Sequence, residues 1–341
     1  MKKLGFICTK GLETFIDPIA KEFERLDGYQ VRRFYVQTNQ EVIGAVKWSD
    51  VVWLEWANQT AILATQIYEL KKKTVICRLH SYEALTSFPE QIDWSRVDYL
   101  VFVADHIREI VKKHVPDIED KVKTLVVPNG IDIAKAKPNK VLNMLDIAYV
   151  CAFNSRKNNA MMLQIVAELV KKTGSREIME KSGSDIYQGT GTAVKLGNPA
   201  FRVHSAGKFQ EEHLEIYMKH MAKDLGIEDN IIFYGQVSDM DSFWEGKGTV
   251  LSTSIHEGHP LNVMEGAARG LRPVVHNFMG ARDLYPASWL FNTVDEAVEV
   301  ITRDTGTEDA FRAYIIGCGW TLEAQINQFK ELVEKAGEAE K

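Results

Sequence analysis

The sequence lacks several features that mark large classes of protein. Its four cysteines are far apart and form no CxxC pair, which argues against a zinc ribbon and against a dense disulfide framework. No apolar run approaches the ~20 residues that a membrane span needs, and the run at 4–8 is too short for a secretory signal. We therefore expect a cytoplasmic protein with reduced thiols and no transmembrane segment, for which a peripheral membrane contact stays open.

A strong charge of one sign is also missing. The 341 residues carry a formal net charge of −6, with 26% charged and 45% hydrophobic residues, which is an ordinary composition for a globular protein. Because no basic excess is available to neutralise phosphate backbones, we expect no nucleic acid partner. At roughly 150 residues per domain, the length predicts about two domains.

Two common nucleotide-binding signatures are absent. No GxxxxGK[ST] sequence occurs, and the first apolar run is followed by Thr9-Lys10-Gly11-Leu12 where GxGxxG would stand. The sequence therefore argues against a P-loop kinase and against an ordinary nicotinamide dehydrogenase.

What the chain does have is an alternation of short β-branched runs with amphipathic stretches, and this alternation occurs twice. Such a pattern predicts βαβ units and parallel sheets covered on both faces. The predicted strands are 4–8, 31–36, 51–54, 74–79, 99–103 and 124–127, then 147–150, 201–205, 231–234, 249–253 and 273–276, with helices at 159–172 and 211–225.

The two sets are separated at 128–143, a stretch with little periodicity that we interpret as a linker. The predicted fold class is α/β, with two Rossmann-like doubly wound domains facing each other across a cleft. The expected domains are 1–140 and 141–308, followed by a helical tail at 309–341 that is a candidate to pack back toward the N-terminal domain. Segment 174–200 allows no structural prediction.

The most informative stretch is 252–266, where a predicted strand runs into a polar loop and then into a helix beginning near Leu261. The unpaired N–H groups and the positive dipole end of such a helix form an anion site, which a diphosphate would fit. Glu257 lies in the loop and Glu265 about one turn into the helix. The two carboxylates would flank a ligand at different depths.

Glu257 and Glu265 stand in the pattern Glu-Gly-x-Pro-Leu-x-x-x-Glu, followed by Gly-Leu-Arg-Pro-Val-Val. This pattern resembles the ExxxxxxxE region of family-four retaining glycosyltransferases, which have the GT-B fold. The stretch 127–132, Val-Pro-Asn-Gly-Ile-Asp, is similar to the inter-domain PNGxD of that family, and 231–235 is similar to the strand before its base-binding turn.

The resemblance implies a role for each matching residue in the second domain. Glu265 would hold the ribose hydroxyls, and Glu257 would lie beside the donor sugar. Lys157 would bind phosphate, where an ammonium stabilises the charge of the leaving diphosphate. The sugar and phosphates would be bound by backbone amides of Gly258, His259, Pro260, Leu261 and Asn262, and the nucleobase would be bordered by Gly235, Gln236 and Val237.

The chain departs from the family at one position, since Ala152 stands where the family has an arginine. Arg156 is a candidate to replace that cation. In the first domain, His80 resembles a histidine that faces the donor sugar, and Gly11 resembles a glycine that lets donor and acceptor approach closely.

Two further motifs favour a structural interpretation. Asp239-Met240-Asp241 is a literal DxD, but Ser238 or Asp239 can cap the helix that carries Phe243 and Trp244. The sequence 256–259, His-Glu-Gly-His, has the wrong spacing for HExxH, so no metal site is expected.

The resemblance predicts a retaining hexosyltransferase that needs no obligatory metal or other cofactor. Its donor would be a nucleotide-sugar, UDP- or GDP-linked, and its acceptor a carbohydrate or a lipid-linked molecule, as in glycan, glycolipid or cell-surface polysaccharide synthesis. Two alternatives stay open. A nucleotide-sugar epimerase of the same fold would convert its donor with no acceptor present, and a non-catalytic nucleotide-sugar binding protein would show no turnover.

Overall fold

The computed structural model describes residues 1–174, 201–303 and 308–338, so most of segment 174–200 lies outside the described residues. By its internal contacts the chain divides into two compact units. Unit 1 comprises Met1–Ile133, Glu257–Leu261 and Cys318–Lys341, and unit 2 comprises Ala134–His256 and Asn262–Gly317. Segment 257–261 and the residues from Cys318 onward therefore group with the N-terminal part of the chain.

Unit 1 is built on a six-stranded parallel sheet in the order β2-β1-β3-β4-β5-β6. Every neighbouring pair of its strands is parallel. The strands are β1 (Lys2–Thr9), β2 (Tyr29–Val36), β3 (Val51–Glu55), β4 (Thr74–Leu79), β5 (Tyr99–Phe102) and β6 (Lys123–Val126).

Helices connect these strands, as a parallel sheet requires. They are α1 (Asp17–Phe23), α2 (Asn39–Trp48), α3 (Gln59–Gln66), α4 (Phe88–Gln91), α5 (Asp105–His114) and α6 (Ile118–Lys121), with 3-10 turns at Glu13–Phe15, Tyr68–Lys72, Glu83–Leu85 and Trp94–Arg96. Helix α2 begins at a capping box, in which Thr38 accepts from the Glu41 N–H and the Glu41 carboxylate accepts from the Thr38 N–H.

Both faces of this sheet are buried. Phe6 and Ile7 are neighbours in β1 but belong to different apolar clusters, because successive side chains of a strand point to opposite faces. The cluster around Phe6 includes Trp53 of β3 and the fully buried Phe329 near the C-terminus.

Unit 2 has a second six-stranded parallel sheet, in the order β12-β11-β10-β7-β8-β9. Strands β7 and β10 are adjacent at its centre and β9 is at one edge. The strands are β7 (Leu142–Val150), β8 (Arg202–Ala206), β9 (Ile231–Gly235), β10 (Gly246–Ser252), β11 (Arg272–His276) and β12 (Leu290–Phe291).

The helices that follow in the chain cover this second sheet, except the last, which returns to unit 1. They are α7 (Asn159–Gly174), α8 (Glu212–Asp224), α9 (Met240–Trp244), α10 (Leu261–Ala268), α11 (Ala281–Leu284), α12 (Val294–Thr302), α13 (Glu308–Gly317) and α14 (Leu322–Glu338), with 3-10 turns at Ser155–Lys157, Glu228–Asn230 and Ala287–Trp289. Only the first residue of α10, Leu261, groups with unit 1.

The predicted α/β fold class is confirmed, with two Rossmann-like parallel sheets. All eleven predicted strands are present, and so are the helices predicted at 159–172 and 211–225, each within a few residues of its expected bounds. The two-residue strand β12 was not predicted. Because it is shorter than the four to eight residues of a typical buried run, it leaves little pattern in a sequence.

Candidate functional site

In unit 2, the loops that follow the adjacent strands β7 and β10 are bonded to each other. The Ile255 N–H donates to the Arg156 carbonyl at 3.0 Å. The Thr253 hydroxyl donates to the Lys157 carbonyl at 2.7 Å, and the Tyr149 hydroxyl lies 3.1 Å from the same carbonyl. The backbone of two predicted phosphate-binding residues is therefore fixed at the carboxyl edge of the sheet, where ligands of open α/β sheets bind.

The beginning of helix α10 is tied to the same edge. The side-chain amide of Asn262 donates to the Val150 carbonyl at the end of β7, at 2.9 Å. Further along the helix, an added Cβ at Gly266 would lie 2.6 Å from Cγ1 of Val250 in β10. Only glycine permits this close approach of helix and strand, so Gly266 sets the depth at which α10 lies.

Glu265 is a half-buried carboxylic acid on α10, next to this contact. Burial raises its pKa, and the nearby Asp241 carboxylate adds to the increase, while the Arg269 guanidinium opposes it. Among the residues that the structure describes, no group lies within hydrogen-bond distance of the Glu265 carboxylate. Its hydrogen-bonding capacity is therefore available to a ligand, which suits a contact with hydroxyl groups.

The predicted base-binding turn lies at a different strand of unit 2. Gly235 ends the edge strand β9 with a φ of +66°, which favours glycine, and its carbonyl accepts from the Gly207 N–H at 2.8 Å. Gln236 and Val237 follow it. Strand β8 separates β9 from β7, so this turn is two strands away from Lys157.

In unit 1, His80 directly follows β4 and is buried. Its Nε2 lies 2.8 Å from Oε1 of Glu55, at the end of the adjacent strand β3. The imidazole stacks on the indole of Trp56 at 3.9 Å between ring centroids, and the ring of Phe15 lies 4.7 Å away.

Burial and a neighbouring charge decide the protonation of His80. Burial, with a smaller effect of the Arg78 guanidinium, lowers the pKa of His80 to about 4 against the opposing effect of Glu55. Arg78 also donates to Glu55 at 3.1 Å, and both side chains are fully buried. Since an ionised carboxylate only accepts, Nε2 of the neutral imidazole carries the hydrogen and Nδ1 presents a lone pair.

Two features of the backbone support this arrangement. Trp56 has a φ of +76°, in the left-handed region that few residues other than glycine adopt. Its indole N–H donates to the Leu12 carbonyl at 3.0 Å, which connects it to the loop after β1. Gly11, the predicted acceptor-side residue, precedes Leu12 with a φ of +93° and has open space where a Cβ would be.

Segment 257–261 groups with unit 1 and is largely buried. Glu257 is 7% exposed, and its carbonyl accepts from Nε2 of His106 at 2.8 Å. The His259 carbonyl accepts from the side-chain amide of Asn129 at 2.9 Å. Pro260 has no N–H, so it contributes no donor to an anion site.

Several residues that contact the predicted ones or their partners were not singled out by the sequence analysis, among them Glu55, Arg78, His106 and Asn129. Three of these left a signal. Asn129 lies in the stretch 127–132, and Glu55 and Arg78 are the charged residues of strands whose other positions are apolar or uncharged. A buried charge in such a strand needs a partner, but a single sequence does not say which residue it is.

The DxD motif has structural partners. Asp239 caps α9 by accepting from the Ser242 N–H at 3.1 Å, and Asp241 is ion-paired with Arg269. His259 is buried, and burial lowers its pKa to about 3. Within 1–174, 201–303 and 308–338, no group of three or more histidine, cysteine, aspartate or glutamate residues could hold a metal ion.

One family model matches part of the chain. Residues 130–286 match the model of the family described as "Glycosyl transferases group 1", which confirms for this region a resemblance to glycosyltransferases and does not distinguish family four. No curated protein sequence matches the chain significantly. No helix in the described part of the chain combines the length and apolar character of a membrane span.

Solved structures share the fold over nearly the whole chain. HepE of Anabaena, solved in complex with UDP and glucose, is 14% identical with a TM-score of 0.75, and the match covers 98% of this chain and 100% of that one. A glycosyltransferase from Rickettsia africae is 14% identical with a TM-score of 0.70, covering 99% of both chains. Sucrose-phosphate synthase of Thermosynechococcus elongatus is 11% identical with a TM-score of 0.74, covering 98% and 99%.

At these identities the likeness establishes the fold, which is GT-B as predicted. The family match at 130–286 indicates the glycosyltransferase class for that region.

Proposed function

We propose that this chain, whose residues 130–286 match glycosyl transferases group 1, is a nucleotide-sugar-dependent glycosyltransferase that retains the anomeric configuration of its donor. One observation carries the proposal: the matching region contains α10, where Glu265 is a half-buried carboxylate without a hydrogen-bond partner among the described residues. The acceptor capacity of a half-buried carboxylate is available to a ligand that displaces water from it and donates hydrogen bonds in its place. The 2′- and 3′-hydroxyls of a ribose are such donors.

The rest of unit 2 supplies the phosphate contacts in this proposal. Lys157 provides an ammonium at the carboxyl edge of the sheet, and the first N–H groups of α10 provide donors that need no side chain. Arg156 supplies the positive charge that the family has at the position of Ala152. The turn 235–237 borders the nucleobase, and uracil is the first candidate because HepE was solved with UDP.

Unit 1 supplies the groups that act on the sugar. His80 offers its Nδ1 lone pair to a sugar hydroxyl, and Glu257 lies beside the same sugar. The acceptor hydroxyl oxygen attacks the anomeric carbon on the face from which the diphosphate leaves. Its proton passes to the departing phosphate oxygen, so the reaction requires no protein base, and the direct attack requires no protein nucleophile. Lys157 and the first N–H groups of α10 stabilise the leaving diphosphate in place of a metal ion.

The direct test has two steps. A thermal-shift panel of UDP-, GDP-, ADP- and TDP-sugars identifies the donor, because a ligand at about 100 times its Kd stabilises the native state by about 2.7 kcal/mol. Transfer from the identified donor is then followed by the anomeric configuration of the product, with and without EDTA. We expect a retained configuration and an EDTA-resistant rate. An inverted product, or activity that only Mn²⁺ restores, would contradict the proposal, and donor conversion without acceptor would indicate an epimerase.

A further inference from the structure

Segment 257–261 is held to unit 1 by two buried side chains. His106 donates to the carbonyl of Glu257 at 2.8 Å, and Asn129 donates to the carbonyl of His259 at 2.9 Å. His106 and Asn129 are 5% and 3% exposed, so water has little access to either hydrogen bond. The backbone carbonyls of Glu257 and His259, on either side of Gly258, are therefore fixed.

Gly258 lies closely against unit 1 between these two bonds. An added Cβ would lie 2.8 Å from Cγ2 of Val103 and 3.2 Å from Cβ of Ser81, the residue after His80. Val103 is buried and β-branched, so it has little freedom to move aside. The segment is thus constrained at three consecutive residues, Glu257, Gly258 and His259.

The orientation of the Asn129 amide is itself determined by a charged group. Its Oδ1 accepts from Nη2 of Arg78 at 2.6 Å, and a guanidinium can only donate. The amide nitrogen of Asn129 must therefore face the carbonyl of His259. Arg78 also donates through Nη1 to Oε1 of Glu55, and this oxygen lies 2.8 Å from Nε2 of His80. A continuous set of buried hydrogen bonds connects the His80 ring to segment 257–261.

We propose that Asn129 is a positioning residue, which orients the backbone of segment 257–261 relative to His80, with His106 as the second anchor. The inference rests on the proposed function, in which this segment and His80 both contact the donor sugar. Asn129 acts through the His259 carbonyl and Arg78, and it touches no substrate. It should therefore affect the sugar end of the donor more than the contacts that Glu265 and the turn 235–237 make with the nucleoside.

The substitution Asn129→Asp isolates this role. The carboxylate still accepts from Arg78, but it places an acceptor where the His259 carbonyl needs a donor, so that bond is lost and replaced by repulsion. Two substitutions of His106 test the second anchor. His106→Gln retains an N–H at the position of Nε2, whereas His106→Phe removes it.

The experiment measures three quantities for each full-length variant: kcat with the nucleotide-sugar, the Kd of UDP alone, and the hydrogen exchange of amides in 257–261. For Asn129→Asp we expect kcat to fall about tenfold or more and the exchange to accelerate, with a severalfold smaller change in the Kd of UDP. His106→Phe should behave in the same way, and His106→Gln should restore most of the turnover.

Asn230→Asp is the matched control. Asn230 is also buried, and its side-chain amide also donates to a backbone carbonyl, that of Phe201 at 2.8 Å in unit 2. We expect this variant to lose stability but to keep wild-type exchange in 257–261. Asn129→Asp with wild-type kcat and exchange would overturn the inference, as would an equal loss of UDP binding or an equal loss of kcat in Asn230→Asp. A wild-type chain that transfers no sugar would instead refute the proposed function, and the exchange data would still show whether Asn129 holds the segment.

Discussion

Glu265 and Glu83 are both carboxylic acids whose pKa is raised by burial, but their surroundings differ. Oε1 of Glu83 accepts from the backbone N–H groups of Ala57 and His80, each at 3.2 Å. Oε2 of Glu83 has no partner within the described ranges. One oxygen of Glu83 is thus hydrogen-bonded to the backbone of the protein, whereas neither oxygen of Glu265 has a hydrogen-bond partner among the described residues.

This difference gives a prediction for Glu265→Ala. If the carboxylate binds ribose hydroxyls, its removal should raise the donor KM by a factor equivalent to about 1.5–3 kcal/mol, because a charge-assisted hydrogen bond is lost. The kcat at saturating donor should change much less. Steady-state kinetics with varied donor measure both parameters.

The control for this substitution is Glu299→Ala, at an exposed glutamate of α12. We expect its donor KM to equal that of the wild type. An unchanged KM in Glu265→Ala would show that Glu265 does not bind the ribose.

Glu83 gives a prediction about stability and pH. Burial raises its pKa from 4.5 to about 7 in the folded state. Between these two values the folded chain binds more protons at this site than the unfolded chain does, so the contribution of Glu83 to stability falls as pH rises from 4.5 to 7. Glu83→Gln removes the titration, and its stability relative to wild type should rise over this range by up to about 3 kcal/mol.

Urea unfolding of both proteins at pH 5 and pH 8 measures this difference. Buried histidines such as His80 and His259 make stability rise with pH in the same interval, but they are present in both proteins and cancel in the comparison. A difference in the free energy of unfolding that does not change with pH would show that Glu83 is ionised in the folded state throughout.

At the scale of elements, the packing of α10 on β10 depends on Gly266. In Gly266→Ala the new methyl would lie within 3 Å of two atoms of Val250, which is buried and cannot move freely. We expect a loss of about 1–3 kcal/mol from overpacking, and a higher donor KM because α10 carries Glu265. Chemical denaturation and donor kinetics of the variant measure the two effects.

Gly44→Ala is the matched substitution for this test. Gly44 is an exposed glycine within α2, and nothing lies within 4 Å of an added Cβ there. Since alanine favours a helix by about 0.5–1 kcal/mol over glycine, this variant should be more stable than wild type. Equal effects of the two substitutions would contradict the packing role of Gly266.

The elements that could be predicted from the sequence are those whose signal is local. Strands such as β4 and β10 were predicted because a buried parallel strand is a short apolar run, and the cap of α9 because Asp239 is three residues from its bonding partner. The resemblance to a glycosyltransferase family was also carried by contiguous motifs.

The contacts of the site could not be predicted in the same way. The ion pair of Glu55 and Arg78 joins residues 23 positions apart, and the bond of His106 to the Glu257 carbonyl joins residues 151 positions apart. The pairing of β3 with β4 brings the first two residues together, and the grouping of segment 257–261 with unit 1 brings the second two together. A single sequence contains no direct record of either.

At the scale of the whole molecule, unit 1 is completed by residues that follow unit 2 in the chain. Helix α14 contributes Phe329, whose ring meets that of Trp53 edge-on at 4.8 Å between centroids. Phe329 also lies under the guanidinium of Arg78, 5.2 Å from the ring. For Phe329→Ala we expect a loss of about 3–5 kcal/mol in stability, since a buried aromatic ring is replaced by a cavity.

Chemical denaturation measures this loss, and Gln328→Ala is its control. Gln328 is the exposed neighbour of Phe329 on the same helix, so its truncation should change the free energy of unfolding by less than about 0.5 kcal/mol. A small effect of Phe329→Ala would mean that α14 adds little to the stability of unit 1.

The position of α14 in the sequence also orders events during translation. The sheet face that carries Phe6 and Trp53 is made early, but the helix that covers it is synthesised only after every strand of unit 2. Domains generally fold in the order in which they leave the ribosome, but unit 1 cannot complete its core before unit 2 has been synthesised. Helix α1 covers part of this face early, through Phe23 on Phe6, but the part around Trp53 that Phe329 covers stays exposed on the nascent chain until α14 has been synthesised.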